Sequence, residues 1–183
     1  MEHQYIALSV VTLILFGGIV RAQSGTDDWK TELKEQVGIL GHRNWILVVD
    51  AAYPLQSNPA IKTVVTGENQ LDVVNTVLNA IDQAPHIFPV VFLDKEIDFV
   101  PEADAKGIKD YKTRLDRLLE GKKVNKIAHE DLIAQVDESA NTFSVLVLKT
   151  NLTIPYTSVF LRLECGYWDE DSEQRLRKKM KME

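Results

Sequence analysis

The chain has 183 residues, 45% of them hydrophobic, which is typical of one globular domain able to bury a core. Its formal net charge of -6 and its pI near 5.3 argue against a nucleic-acid-binding protein, because phosphate neutralisation needs clustered lysines and arginines. A basic cluster does occur at residues 175–181, but its place at the C-terminus is typical of a solvated tail.

The N-terminal segment has the features of a secretory signal peptide. Residues 5–20 are uncharged, and the small residue Ala22 that follows fits the cleavage rule. We therefore expect a signal peptide at 1–22, a periplasmic or secreted mature protein, and no membrane association after cleavage. The alternative is an uncleaved anchor, because the charged n-region is weak and the apolar run approaches the ~20 residues that span a bilayer.

The motifs of common cofactor-dependent enzymes are missing from the sequence. Cys165 is the only cysteine, which excludes an intrachain disulfide. There is no zinc-type Cys/His cluster, glycine-rich phosphate loop or Gly-x-Ser-x-Gly motif, so we expect neither a metal nor a cofactor. Asp94, Glu96 and Asp98 are close together, but a charge-rich loop explains them without a metal.

Apolar spacing predicts the elements of the first half of the chain. In chain order these are a helix at 27–40, a strand at 44–49, an irregular loop at 53–59, a strand at 61–65 and a helix at 68–82. The first helix leads into Gly41-His42, and the strand after it is apolar throughout and ends at Asp50. His42 and Asp50 therefore flank a strand that we expect to be buried on both faces.

The second half of the chain continues this alternation. It predicts a strand at 86–93 that Pro89 would place at an edge or bulge, a helix at 101–120, a strand at 124–128, a short helix at 130–136 and strands at 143–149 and 158–167. The pattern predicts an α/β domain at 23–168, with a mixed sheet flanked by helices, and a charged tail at 169–183. We expect the last two strands to pair with each other.

Four polar residues lie where loops meet predicted elements, a usual place for reactive groups. His42 follows a glycine, although a lone loop histidine is more often merely solvated or hydrogen-bonded. Asp50 could anchor a hydroxyl or form a turn. His129 could reach a ligand or simply begin a helix. Tyr156 follows Pro155, and its ring could stack on a sugar or pack in the core.

The order of these residues resembles the RbsD/FucU family. Gly-His at 41–42, a hydrophobic strand and Asp-Ala-Ala-Tyr-Pro at 50–54 resemble the opening motif of that family. Ala-His-Glu at 128–130 is similar to the segment that supplies a second histidine in its ribose pyranases, and Pro-Tyr-Thr-Ser at 155–158 is similar to its Tyr-x-Asn loop. The resemblance covers residues 35–166.

The resemblance implies a layered α/β fold and a cofactor-free isomerase that interconverts ring forms of a ribose-like or fucose-like monosaccharide. It implies that His42 is the acid/base, that Asp50 and His129 contact sugar hydroxyls, and that the loop from Tyr156 to Ser158 closes the pocket. It also implies a ring-like homo-oligomer, with a decamer as the candidate size and pockets at subunit contacts.

Three features depart from the family. Ser158 stands where the family usually has asparagine, and it offers one hydroxyl in place of an amide. The signal peptide and the C-terminal tail also differ from the family's usual pattern. Two alternatives to the enzyme therefore stay open: an exported noncatalytic monosaccharide-binding protein of the same fold, and a secreted interaction module without a sugar site.

Overall fold

The computed structural model describes residues 28–181. The predicted signal peptide at 1–22 lies outside the described residues, as does the start of the predicted domain at 23–27. Within the described residues, no helix is long and apolar enough to cross a membrane. The domain begins with helix α1, which the sequence places at 27–40 and the structure at Asp28–Ile39.

One mixed six-stranded sheet forms the centre of the domain. Its strands are β1 Trp45–Val49, β2 Ile61–Val65, β3 Ile87–Asp94, β4 Val124–Ile127, β5 Val145–Lys149 and β6 Val159–Cys165. Their order in the sheet is β2-β5-β1-β6-β3-β4. β1, β2 and β5 run parallel to one another, as do β3 and β4, whereas β6 runs antiparallel to its neighbours β1 and β3. This confirms the predicted α/β domain with a mixed sheet.

Four helices pack on the sheet, three on one face and one on the other. Besides α1 they are α2 Gln70–Asp82, α3 Ile108–Leu118 and α4 His129–Ala140. The core beneath α1, α2 and α3 includes Leu33, Val74 and Leu115, together with the β1 side chains Ile46 and Val48. The core beneath α4 contains the alternate side chains of the same strand. β1 is therefore buried on both faces, as its continuous apolar sequence predicts.

Two predictions about strand pairing are wrong. β5 and β6 do not pair with each other, because β1 lies between them. β3 is an internal strand despite Pro89, since β6 and β4 flank it. Proline is tolerated because β4 pairs with β3 only from Val91 onward. The backbone nitrogen of Pro89, which has no hydrogen to donate, faces the β4 side of the strand at a level where β4 is not yet present.

α3 is shorter than the predicted helix at 101–120. Gly107, with a φ of 94°, adopts the left-handed conformation just before the helix starts. The carboxylate of Glu102 then accepts hydrogen bonds from the backbone N–H groups of Gly107 and Lys109, at 2.6 and 3.1 Å. These bonds satisfy donors at the helix start that have no partner within the helix. The turn before α3 is therefore a separate capping structure.

The charged C-terminal segment forms a helix that the sequence pattern does not predict. This helix, α5, spans Glu170–Met180, and none of its residues is buried. Asp169 caps it by accepting from the N–H of Ser172 at 2.7 Å. Acidic residues occupy its first turn and basic residues its last, which suits the helix dipole. Charge order can thus produce a helix without an apolar face.

We expect Gly166→Ala to destabilise the fold. A Cβ at this position would meet the backbone carbonyl oxygen of Pro85 and approach the backbone nitrogen of Ile87 to 2.8 Å. Because neither backbone atom can rotate away, we expect a loss of about 1–3 kcal/mol in the free energy of unfolding, measured in urea. The control is Gly38→Ala in α1, where the space is open and a gain of up to about 1 kcal/mol is expected. Equal stability of the two variants would contradict the close approach.

Candidate functional site

The sheet brings one set of polar residues to a single edge. Asp50 follows β1, Asp94 ends β3 and His129 follows β4, so all three lie at the carboxyl ends of their strands. β6 runs the other way, and Ser158 immediately before it therefore reaches the same edge. Ligands of open α/β sheets commonly bind at such an edge, where polar loop residues can converge.

These residues line one cavity of about 400 Å³ between that edge, α4 and the loop before β6. Four of the five candidate residues from the sequence are among its walls: Asp50, His129, Tyr156 and Ser158. Its other walls are Ala52, Tyr53, Pro54, Gln56, Asp94, Glu130, Ile133 and Pro155. The volume falls within the ~300–1,000 Å³ of ordinary small-molecule sites.

His42 lies at the opposite edge of the sheet and does not line this cavity. It precedes β1 whereas Asp50 follows it, and a strand of five residues spans roughly 16 Å. Half of its side chain is exposed, and its Nδ1 lies 2.8 Å from Oε2 of Glu164. The other carboxylate oxygen of Glu164 accepts from Nε of Arg162, also at 2.8 Å. His42 is thus held in place, but apart from the other candidates within one chain.

The turn that presents His42 places its unusual torsion on a residue other than glycine. Gly41 could adopt a positive φ without strain, yet the residue that has one is Arg43, at 74°. Its N–H donates to the carbonyl of Leu163 at 2.8 Å, and the Gly41 N–H donates to Oδ1 of Asn44 at the same distance. These bonds to β6 and within the turn hold a conformation that costs a non-glycine residue about 1 kcal/mol or more.

His129 is held by two carboxylates, Asp94 and Glu96, which the sequence analysis assigns to a charge-rich loop. Its Nδ1 lies 3.0 Å from Oδ1 of Asp94. Its backbone N–H donates to both carboxylate oxygens of Glu96, each at 3.1 Å, and this caps the start of α4. The third carboxylate, Asp98, pairs with Lys112 and Lys126 instead. Asp94 is therefore a wall of the cavity that the sequence interpretation missed.

A signal for Asp94 was nevertheless present in the sequence. It directly follows the apolar run of β3, as Asp50 follows that of β1. Because carboxyl ends of strands with the same direction meet at one edge, two such aspartates predict a shared site. The directions of β1 and β3, however, are set through the antiparallel β6 between them, and no local pattern gives that arrangement.

Tyr156 lies in a turn that is held in place by hydrogen bonds to the residue after it. Its φ of 56° is unusual for an aromatic residue, and its ring meets His129 edge-on with centroids 5.6 Å apart. The next residue, Thr157, is buried, and its carbonyl accepts hydrogen bonds from the Gln70 amide and the Tyr111 hydroxyl. These bonds fix the turn, and so the tyrosine ring over the cavity.

Three buried polar atoms of the described residues lack a hydrogen-bond partner, and all belong to walls of this cavity. They are the Tyr53 hydroxyl, Oε1 of Gln56 and Oδ2 of Asp94. Since buried polar groups are almost always satisfied, such atoms call for an explanation. Burial raises the pKa of the Tyr53 hydroxyl, so it is a neutral donor at neutral pH. Tyr53, Gln56 and Asp94 thus bring hydroxyl, amide and carboxylate groups to the walls, a combination that suits a ligand with several hydroxyls.

Asp50 combines a turn role with its place in the wall. Its Oδ1 accepts from the N–H of Ala52 at 2.7 Å, which is the turn-forming alternative. It also lines the cavity, so the two interpretations do not exclude each other. Among residues 28–181, no group of three or more His, Cys, Asp or Glu side chains could hold a metal ion.

Burial raises the pKa of Asp94, and the hydrogen bond from His129 opposes this only in part. The nearby carboxylates Glu96 and Asp50 raise it further. A raised pKa in the folded state means that the stability contributed by this group is complete below its unfolded pKa and is lost as pH rises through the folded value. The free energy of unfolding of the wild type should therefore fall, as pH rises, relative to that of a protein with a neutral side chain at position 94.

We therefore expect the stability difference between Asp94→Asn and wild type to increase in favour of the variant from pH 3.8 towards pH 7. The measurement is urea unfolding of both proteins across this interval, in which the titrations of groups remote from Asp94 cancel. Asp131→Asn, at an exposed site in the first turn of α4, is the control and should show no such trend. A difference that moves in the opposite direction would show that Asp94 is stabilised in its ionised form.

Comparison with known proteins gives one family and a set of similar structures. Residues 29–165 match the RbsD / FucU transport protein family. The fold is similar to Bacillus subtilis RbsD complexed with D-ribose, with a TM-score of 0.55 and 15% identity over 76% of this chain and 94% of that one. It is also similar to FucU from Bifidobacterium longum, with a TM-score of 0.50 and 14% identity over 72% and 92%. Among curated proteins, none matches this chain in sequence. Because the family match extends over most of its length, the chain belongs to the RbsD/FucU family, as its motifs predict.

Proposed function

We propose that this protein is a mutarotase or pyranase that interconverts ring forms of a free monosaccharide without a cofactor. The observation that most supports this is a cavity whose walls include Tyr53, Gln56 and Asp94, each of which carries a buried polar atom without a hydrogen-bond partner. A sugar has donors and acceptors on every side, so it suits walls that hold hydroxyl, amide and carboxylate groups. Membership of the family and the D-ribose complex of the B. subtilis relative point to the same class of ligand.

The reaction needs only proton transfer. Opening a cyclic hemiacetal removes a proton from the anomeric hydroxyl and adds one to the ring oxygen, and closure on the other face or through another hydroxyl gives a new ring form. Imidazole has an unperturbed pKa of ~6.5 and can donate or accept a proton at neutral pH, with an expected acceleration of about 10²- to 10⁴-fold. The histidines of this chain are therefore suitable groups.

His42 is the proposed proton donor, acting in the cavity of a neighbouring copy. Within one chain it is at the opposite sheet edge from Asp50, His129 and Tyr156, so it can join them only across a subunit contact. Glu164 and Arg162 hold its ring in a half-exposed position, which leaves it accessible to another subunit. A ring-like homo-oligomer, in which one edge of each subunit meets the other edge of the next, would complete every site.

The proposed substrate is a ribose-like or fucose-like monosaccharide, with Asp50, His129, Tyr156 and Ser158 as its contacts. Ser158 is buried and lines the cavity beside the tyrosine turn. Its single hydroxyl replaces the family's amide and leaves more room, so the preferred sugar can differ from those of the relatives.

We also propose that the protein is exported to the periplasm or secreted, on the strength of the apolar segment before Ala22. Mass spectrometry of the exported protein should find a mature N-terminus at Gln23. Recovery of the full-length chain in the membrane fraction would instead support the uncleaved anchor.

Saturation-transfer NMR between sugar ring forms tests the enzyme directly. Wild type should accelerate exchange for at least one pentose or hexose, and His42→Ala should lower the rate by about 10²-fold or more, because the proton donor is lost. The sugar should still bind, since the walls of the cavity are unchanged. Binding by calorimetry without any exchange would support the noncatalytic sugar-binding alternative, and neither binding nor exchange would exclude a sugar site.

Subunit mixing is the control for the composite site. His42→Ala and Tyr156→Ala are each expected to be weakly active alone. Mixed rings would contain about a quarter of sites with an intact His42 from one copy and an intact Tyr156 from the next, so exchange activity should partly return. Failure of mixed oligomers to regain activity would contradict the placement of His42 in a neighbouring cavity.

A further inference from the structure

Asp94 is a buried carboxylate in the cavity wall to which the proposed function gives no part in the proton transfers. Only 1% of it is exposed, at the carboxyl end of β3. One carboxylate oxygen meets Nδ1 of His129, and the other has no partner among the described residues. Burying a carboxylate costs free energy unless its oxygens are paired, so a neutral residue would fit this position more easily.

The start of α4 does not require this carboxylate. Glu96 already accepts hydrogen bonds from the backbone N–H of His129 with both of its oxygens. Asp94 bonds only to the imidazole, and among the described residues it makes no hydrogen bond with the backbone of the helix. Its effect is therefore on the ring of His129.

The ring of His129 is held on two sides. Asp94 engages Nδ1, and the Tyr156 ring packs against the imidazole at an interplanar angle of 82°. Nε2 makes no hydrogen bond with the described residues, and about a third of the side chain is exposed where it lines the cavity. A carboxylate that accepts from Nδ1–H leaves Nε2 as the basic nitrogen.

We infer that Asp94 is the positioning residue that makes His129 a second acid/base group of this cavity, with Nε2 as the atom that exchanges a proton with the sugar. This inference rests on the proposed function and extends it. His129 becomes an acid/base group as well as a contact to a sugar hydroxyl. Asp94 determines which tautomer the His129 ring adopts.

The proton transfers balance between two histidines. Nε2 of His129 takes the proton of the anomeric hydroxyl, whose oxygen becomes the carbonyl oxygen of the open chain. The bond from the anomeric carbon to the ring oxygen breaks, and its electron pair stays on that oxygen. The ring oxygen takes a proton from the second acid, proposed above to be His42 of a neighbouring copy. Closure reverses both transfers and restores both histidines.

The side chains around His129 are acidic or phenolic. The titratable groups that line the cavity with it or bind its backbone are Asp50 after β1, Asp94 on β3, Glu96 after β3, Glu130 on α4, and the hydroxyls of Tyr53 and Tyr156. No lysine or arginine is among the walls of the cavity.

Kinetics of Asp94→Asn across pH test the inference. The amide can donate to Nδ1 as well as accept from it, so the variant allows the wrong tautomer. We expect kcat for ring exchange to fall by about 10²-fold or more and its pH profile to shift, whereas KM changes little. Nitrogen-15 NMR of the histidine ring should show the Nδ1-protonated tautomer in wild type and a smaller population of it in the variant.

Asp131→Asn is the matched control, because it removes an exposed carboxylate from the same helix start and should leave kcat unchanged. His129→Ala should lose as much kcat as Asp94→Asn, and the double variant should lose no more than either. An active wild type whose kcat survives Asp94→Asn overturns this inference and leaves the proposed function standing. A wild type that exchanges no sugar overturns both.

Discussion

The buried amide of Gln70 is the interaction on which the site depends. It donates to the carbonyl of Thr157 and to the hydroxyl of Tyr111, and its oxygen accepts from Thr150 at 3.2 Å. The Thr150 hydroxyl shares its single proton between this oxygen and the carbonyl of Val49 at the end of β1, which lies closer at 2.8 Å. One side chain thus joins α2, α3 and the central strand to the turn before β6. Because an unpaired polar group here would cost about 1–3 kcal/mol, the network keeps that turn in a single conformation.

The position of β6 explains why the polar residues converge. It lies between β1 and β3 and runs antiparallel to both, so these two strands point the same way and end at one edge. Because β6 runs the other way, it begins at this edge, and the residues before it lie beside the ends of β1 and β3. The same arrangement sends His42 and Glu164 to the other edge, where Arg162, which binds Glu164, lies over the ring of Trp45 at 6.0 Å. One strand therefore separates the two histidines and organises the surroundings of each.

Much of the fold could be predicted because it follows from local patterns. The continuous apolar run of β1 predicts a strand buried on both faces, and the capped, amphipathic α2 is present at 70–82 where the pattern places it. Predictions failed where a distant partner decides the outcome. Pro89 is tolerated inside the sheet only because β4 is short, and α5 forms from charge order and a cap without any apolar stripe.

For the site, the sequence by itself determined which residue types stand where loops meet elements, and so made His42, Asp50, His129 and Tyr156 candidates, while the resemblance to the family added Ser158. Only the tertiary structure decided that Asp50, His129, Tyr156 and Ser158 share one cavity and that His42 lies across the sheet from them. It also added Asp94, Tyr53 and Gln56 to the walls. The physical reason is that strand order and direction arise from long-range pairing, whereas local spacing reports only which face or end of an element a residue occupies.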